Sequence, residues 1–450
     1  IRPTMDGTAM KSNILTAAFF KIVLLVVCVT LAGCSGPFAV VAGRRDKELV
    51  VVDLQQALEA KNSGTANAVS ARVPVGSLPS AVVAGPDGRT AYVVNHAGAA
   101  DQDAINRGEK PLFQHGHRGS VTIVDISKAS PAPSQAVVAT VDTGGFGPVG
   151  IALSADRKRL FVANSEDDLR VSGNTPATEF GGHTVAILDH DQAMKNPKAA
   201  ILATIDLGTT PDPKTGCLSN PNALALSPDG KFLFVAEGGG RSVAVVDVAA
   251  RSVVHRVEVG EGPWGMVLLP KGETLVVSNR ERCPAGEKDP EGNTISFISV
   301  AKAIAKDPKA EVRRLTVGSN DPAKPSRPFG LASSPDGRWV AVANFRTNDI
   351  SLVDVDKALA GQTGAEAARV PLSRPDGQAA RPRGVAFTPD GKYIVATGGP
   401  IIRAADKNIV PRSGTMWIVE AGLALIDPVK AVVATVSGVG NEPYLVDVVP

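Results

Sequence analysis

Ten residues carry types suited to holding a ligand: Arg44, His96, Arg280, Arg327, Arg346, Arg381 and Arg383, with Trp264, Phe329 and Tyr444. A guanidinium offers a planar fork of donors that matches a carboxylate or phosphate, and an aromatic face supplies a flat apolar wall. Brought together, they would bind an anionic or sugar-like molecule. The plainer alternative is a set of solvated arginines paired with local acids. Acids are plentiful, because the 450-residue chain has 47 Lys and Arg against 45 Asp and Glu. Setting aside Arg2, Lys11, Lys21 and Asp6 of the first 34 residues leaves 44 of each sign, net zero. No overall field attracts a polyanion, so a nucleic-acid partner is not expected.

Other chemistries have weaker signals. His115-Gly116-His117, with His96, Asp101 and Asp103 nearby, offers Zn or Cu ligand types, but in a polar stretch with no strand to fix them. The sequence therefore calls for no metal and no cofactor. His183, His190 and His255 have no partners suggested by spacing and read as surface or packing residues. Gly-x-Ser-x-Gly, a phosphate loop and His-Glu-x-x-His are all lacking. Cys217 and Cys283 lie outside any Cys-x-x-Cys context, and are either a disulfide pair or two free thiols.

The elements that must position these residues come from an internal repeat. One unit reads Pro221-Asn222-Ala223-Leu224-Ala225-Leu226-Ser227-Pro228-Asp229-Gly230, then Phe232-Leu233-Phe234-Val235-Ala236-Glu237, Ser242–Asp247 and Val253–Val259. Pro presets φ, Asp bonds local backbone and Gly accepts positive φ, so Pro-Asp-Gly marks a tight turn. It recurs at Pro86, Pro335 and Pro389, with weaker copies at Ala155-Asp156-Arg157 and Pro270-Lys271-Gly272. Second strands end in Asn95, Asn164, Asn279 and Asn344. Third strands end in Asp53, Asp125, Asp189, Asp247, Ser299, Asp354 and Asp427, at intervals of 52 to 73 residues. Seven such units predict an all-β fold, a seven-bladed β-propeller of four-stranded antiparallel blades. The first unit lacks its first strand, and Glu442–Val449 supplies one, so the N- and C-terminal strands are expected to close the ring.

The Pro-x-Gly-x-Ala-x-Ser-Pro-Asp-Gly…Val-Ala-Asn…Val-Val-Asp pattern resembles the YVTN-repeat β-propellers of exported microbial proteins, across residues 35–450. That resemblance is specific for fold and open on function, since related propellers include scaffold and adhesion modules, lactonases and large subunits of quinoprotein or haem d1 enzymes. Lactonase-like propellers use Arg, His and Glu at the channel mouth, and Arg280, Arg327 and Glu237 could mimic that set. The long second-to-third-strand loops, roughly 95–119, 164–182, 279–293 and 398–414, are expected on one face, beside the channel. Cys217 and Cys283 would meet there as a disulfide.

The first 34 residues read as a signal segment. Lys11 and Lys21 precede an apolar run of 11 residues, Ile22–Ala32, too short for comfortable spanning. Residues 1–9 read as lying upstream of a start at Met10, with Met5 as the alternative start. Leu31-Ala32-Gly33-Cys34 resembles the bacterial lipobox, which implies acylation of Cys34, and Ser35 rather than Asp implies the outer membrane. The expectation is a lipid-anchored envelope propeller that binds a protein, glycan or small anion at its loop-rich face, with a lactonase-like or dehydrogenase-associated enzyme as the alternative.

Overall fold

The computed structural model describes residues 37–60, 68–97, 118–166, 182–210, 217–280, 290–321, 323–400 and 412–449. The described chain is almost wholly antiparallel β. Five sheets have four strands and one has seven. In sequence order, the regular four-stranded sheets begin at Pro221–Leu226, Pro263–Leu268, Pro328–Ser333 and Pro382–Phe387, each followed by its next three strands. The sheet of Phe38–Gly43, Glu48–Asp53 and Val69–Pro74 takes its remaining strand, Pro443–Val449, from the far end of the chain. Phe38 lies opposite Val449 and Val41 opposite Val446.

The seven-stranded sheet has a simple origin. Its middle strand, Val137–Leu153, pairs through Val137 to Phe146 with Arg118–Asp125, and through Phe146 to Leu153 with Arg159–Glu166. One continuous strand thus ends one four-stranded set and begins the next.

The recurring residues do structural work. Ser227 Oγ donates to Asp229 Oδ1 at 2.6 Å while Phe232 N donates back to Ser227 Oγ, so the Pro-Asp-Gly turn is closed by side chains. The same hydroxyl bonds hold the carboxyls of Asp229 and Asp336 below the ordinary range. Asn279 Nδ2 donates to Thr294 and Ser296 at 2.9 Å each, tying the second strand to the third; Asn95, Asn164 and Asn344 do likewise. Asp53, Asp189 and Asp354 cap the helical turns that follow their strands. One sequence marker needs correction. The third strand of the last sheet is Thr415–Glu420, so Glu420, not Asp427, holds the equivalent place. Glu420 makes no side-chain cap bond, and Asp427 lies in the turn beyond the helix that follows, bound to Lys430 at 3.0 Å.

Neighbouring sheets bury each other's faces. One cluster joins Phe161, Val185 and Ile205 to Leu233, Val235 and Val246 of the next sheet. Each such side chain contributes about 1.5–3 kcal/mol by leaving water. First strands also abut through backbone. A Cβ on Gly150 would sit 1.8 Å from the Asn222 carbonyl oxygen, and one on Gly265 or Gly330 would sit 2.4 Å from the carbonyl oxygen of Phe329 or Arg383. Glycine in the Pro-x-Gly pattern is what lets consecutive first strands come this close. Hydroxyls pin the same junctions: Ser80 donates to Pro148 O, Ser278 to Phe329 O and Thr397 to Tyr444 O.

Candidate functional site

The residues immediately preceding the first-strand prolines share one backbone conformation. Leu78, Gly147, Asn220, Gly262, Arg327, Arg381 and Glu442 all have φ between 47° and 59°. For the non-glycine members this left-handed turn costs of order 1–3 kcal/mol each. It swings the chain from the link between sheets into the first strand, and so sets which side chains ring that end of the strands.

Six of the ten sequence-derived residues meet there. The Arg44 guanidinium lies 4.7 Å from the Tyr444 ring centre. That of Arg280 lies 4.6 Å from Trp264 and 4.7 Å from Phe329. Arg383 lies 5.1 Å from Phe345 and 5.8 Å from Tyr444. Phe329 sits centrally, 5.1 Å from Trp264 and 5.3 Å edge-on to Tyr444. Cations over ring faces are attracted by the ring quadrupole, the more so when desolvated.

Arg383 is only 2% exposed. Burial pushes its pKa down, Glu442 opposes the fall, and the nearby positive charges of Arg44 and Arg280 add to it. Its Nη2 stands 3.6 Å from Glu442 Oε1, while Glu442 Oε2 takes the Arg45 Nε–H at 3.0 Å. Three guanidiniums therefore surround an aromatic floor, and Glu442 among them is already held by two arginines, Arg45 and Arg383. Guanidinium forks over aromatic faces are groups that suit an anion.

The remaining predicted residues are placed differently. Arg327 and Arg381 are half-buried pre-proline residues, and Arg346 follows Phe345; none of their guanidiniums lies over Trp264, Phe329, Phe345 or Tyr444 among the described residues. His96 is buried in the strand Thr90–Ala97, one residue beyond Asn95, and is not part of the aromatic floor. His115, His117, Asp101, Asp103 and Cys283 lie outside the described residues. No cluster of three His, Cys, Asp or Glu suited to a metal occurs among those described. Cys217 is buried and disulfide-bonded. Glu237 is committed to structure, accepting from Ser219, Ser242 and Arg256 at 2.6–3.1 Å. His190 packs edge-on against Tyr92, its Nε2 2.8 Å from the phenol oxygen. Sequence reasoning missed Phe345 and Glu442. Their signals were adjacency to Asn344 and to Pro443.

Behind the cluster runs a cavity of about 460 Å³. It is lined mainly by apolar side chains such as Val83, Ile151, Leu224, Met266, Leu331 and Leu445, together with Asp447. Asp447 accepts the Ala84 and Val448 amides at 2.8 and 2.9 Å, and burial pushes its carboxyl upward.

Several solved structures share this fold. The periplasmic gluconolactonase PpgL of Pseudomonas aeruginosa aligns over 92% of this chain and 99% of its own, with TM-score 0.58 and 19% identity. Hydrazine synthase of Kuenenia stuttgartiensis aligns over 80% and 89%, with TM-score 0.55 and 19% identity. The fold is a β-propeller. The dihydro-haem d1 dehydrogenase NirN, solved in complex with DHE, aligns over 91% of this propeller and 74% of its own chain, with TM-score 0.51 and 16% identity. At these identities the likeness speaks for the fold alone. No protein-family profile matches the sequence, and no curated protein sequence does.

Proposed function

We propose that the chain is an exported, lipid-anchored propeller of the YVTN-repeat kind that binds a small carboxylate- or phosphate-bearing ligand at the mouth of its central channel. Its blades number seven in this reading, and the pairing of Phe38–Gly43 with Pro443–Val449 closes the ring. Support for seven comes from the seven left-handed pre-proline residues and from the single cavity that seven first strands line. Support for export and acylation at Cys34 is the signal-like segment ending Leu31-Ala32-Gly33-Cys34, and Ser35 favours the outer membrane. An envelope protein or glycan is the larger form of the same ligand; nucleic acid is not expected.

The observation that carries the binding reading is the group Arg44, Arg280 and Arg383 over Trp264, Phe329, Phe345 and Tyr444. Guanidiniums orient the anionic group and the rings cover the ligand's apolar face. Titration calorimetry with D-gluconate, inorganic phosphate and neutral glucose tests it. Binding of an anion but not of glucose, weakened at least about tenfold by Arg280→Ala, is expected for loss of a charge-assisted contact. Equal heats for all three compounds, or no effect of Arg280→Ala, would overturn it.

A second reading is lactone hydrolysis at the same mouth. The gluconolactonase-like fold favours it, and a guanidinium there could stabilise the oxyanion formed on a lactone carbonyl. Glu442, held by Arg45 and Arg383, is a poor base, which ranks this reading second. Acid release from glucono-δ-lactone, abolished by Arg383→Met, would promote it to first place.

A further inference from the structure

The exposed large apolar side chains are not scattered over the propeller. Leu425, Ile426 and Val429 follow the third strand Thr415–Glu420, Leu359 follows Asp349–Asp354, and Met194 follows Thr184–Asp189. The others, Val138, Ile201, Leu202 and Val312, occupy the first two positions of fourth strands. Every one among the described residues thus falls where a third strand passes to a fourth. Antiparallel topology puts all those connections on the face opposite the arginine mouth. Ile426 and Val429 are 83% and 74% exposed. Single exposed apolar residues are ordinary; their confinement to one face is not.

Pro37 lies on that same face. Its carbonyl accepts the amide of Leu54, the residue after the third-strand end Asp53. It also lines a groove with Leu54, Leu58, Tyr393, Ile418 and Val433, which Glu59, Asp390, Glu420 and Lys430 also line, next to the segment bearing Ile426 and Val429. Cys34 is three residues before Pro37, a reach of at most about 11 Å even fully extended. An acyl chain on that cysteine would hold this face within a side chain or two of the bilayer surface.

Resting on the acylated Cys34 proposed above, we propose that this face docks on the lipid bilayer, with Ile426 and Val429 entering the headgroup region and the arginine mouth turned away. The apolar rim supplies a second membrane contact beside the lipid anchor, which fixes the orientation of the propeller on the surface. It also presents the ligand site to the aqueous side.

The test places an environment-sensitive fluorophore on Val429→Cys, and separately on Asp321→Cys, an exposed position in a link on the mouth face. The full chain is reconstituted in phosphatidylethanolamine and phosphatidylglycerol vesicles containing brominated acyl chains. Quenching at 429 at least about threefold that at 321 is expected, because bromine quenches only probes that reach the acyl boundary. Equal quenching at the two positions overturns the proposal. Mass spectrometry of the Cys34 peptide reads acylation separately. If that peptide is unmodified, the anchor reading fails, and the same labelled chains added to preformed vesicles still decide the face by the same comparison.

Discussion

Arg383 gives the sharpest separation between binding and stability. Its guanidinium is buried between Phe345 and Tyr444, and its closest acidic partner is Glu442 at 3.6 Å. Burial and two neighbouring arginines all disfavour its charge. Arg383→Met keeps much of the volume and removes that desolvated charge. Replacing a buried charge by an apolar side chain of similar size is commonly neutral or stabilising, by about 1–4 kcal/mol. Glu442 is not stranded by the change, because Arg45 still pairs with it at 3.0 Å. Removing a desolvated charge from an anion's contact shell costs about 2–3 kcal/mol, or some 30- to 150-fold in affinity. The expected result is an unfolding free energy in urea equal to or above the parent's, with gluconate or phosphate affinity cut by that factor in calorimetry. A variant that loses several kcal/mol of stability refutes the reasoning, for it makes the guanidinium a structural strut; so does undiminished anion affinity.

Three further outcomes are expected. Gly150→Ala forces a Cβ onto the Asn222 carbonyl and should cost at least about 3 kcal/mol in urea titration, whereas Gly422→Ala, with open space around it, should stay within about 1 kcal/mol of the parent. Burial pushes the Asp349 carboxyl up to about 6. An acid raised in the folded state stabilises below its unfolded value and loses that contribution as pH climbs through the folded one. Asp349→Asn should therefore match the parent near pH 4 and exceed it by up to about 3 kcal/mol at pH 7.5, read from urea midpoints; a constant gap across pH would contradict this. Thiol labelling of the unreduced chain should leave Cys217 unmodified, and reduction should lower stability by about 2–4 kcal/mol.

The repeat was legible because its markers are local. Asp229 bonds within its own turn, and Asn279 reaches only to the adjacent strand, so their spacing in sequence is their spacing in the fold. The one marker misplaced, Asp427 for Glu420, failed where capping failed: Glu420 caps nothing, and the next Asp was read in its stead. The ligand site was legible in part. Arg44, Arg280, Arg383, Trp264, Phe329 and Tyr444 follow strand-end motifs, which put them at one end of the strands. Which of them touch depends on contacts between sheets far apart in sequence. Glu442 on Arg45 spans nearly the whole chain, and no periodicity encodes such a pair. Arg327 and Arg381 satisfied the same motif, yet the left-handed turn places them at the entry to the strand.

The sheet shared between the two ends has a kinetic consequence. Phe38–Gly43 exposes a bare row of amide and carbonyl groups until Pro443–Val449 arrives, roughly four hundred residues later. So long a loop closes slowly, which leaves the chain threadable during synthesis. If the chain is exported as proposed, that delay would postpone the pairing of Phe38–Gly43 with Pro443–Val449 until the last strand has crossed the membrane.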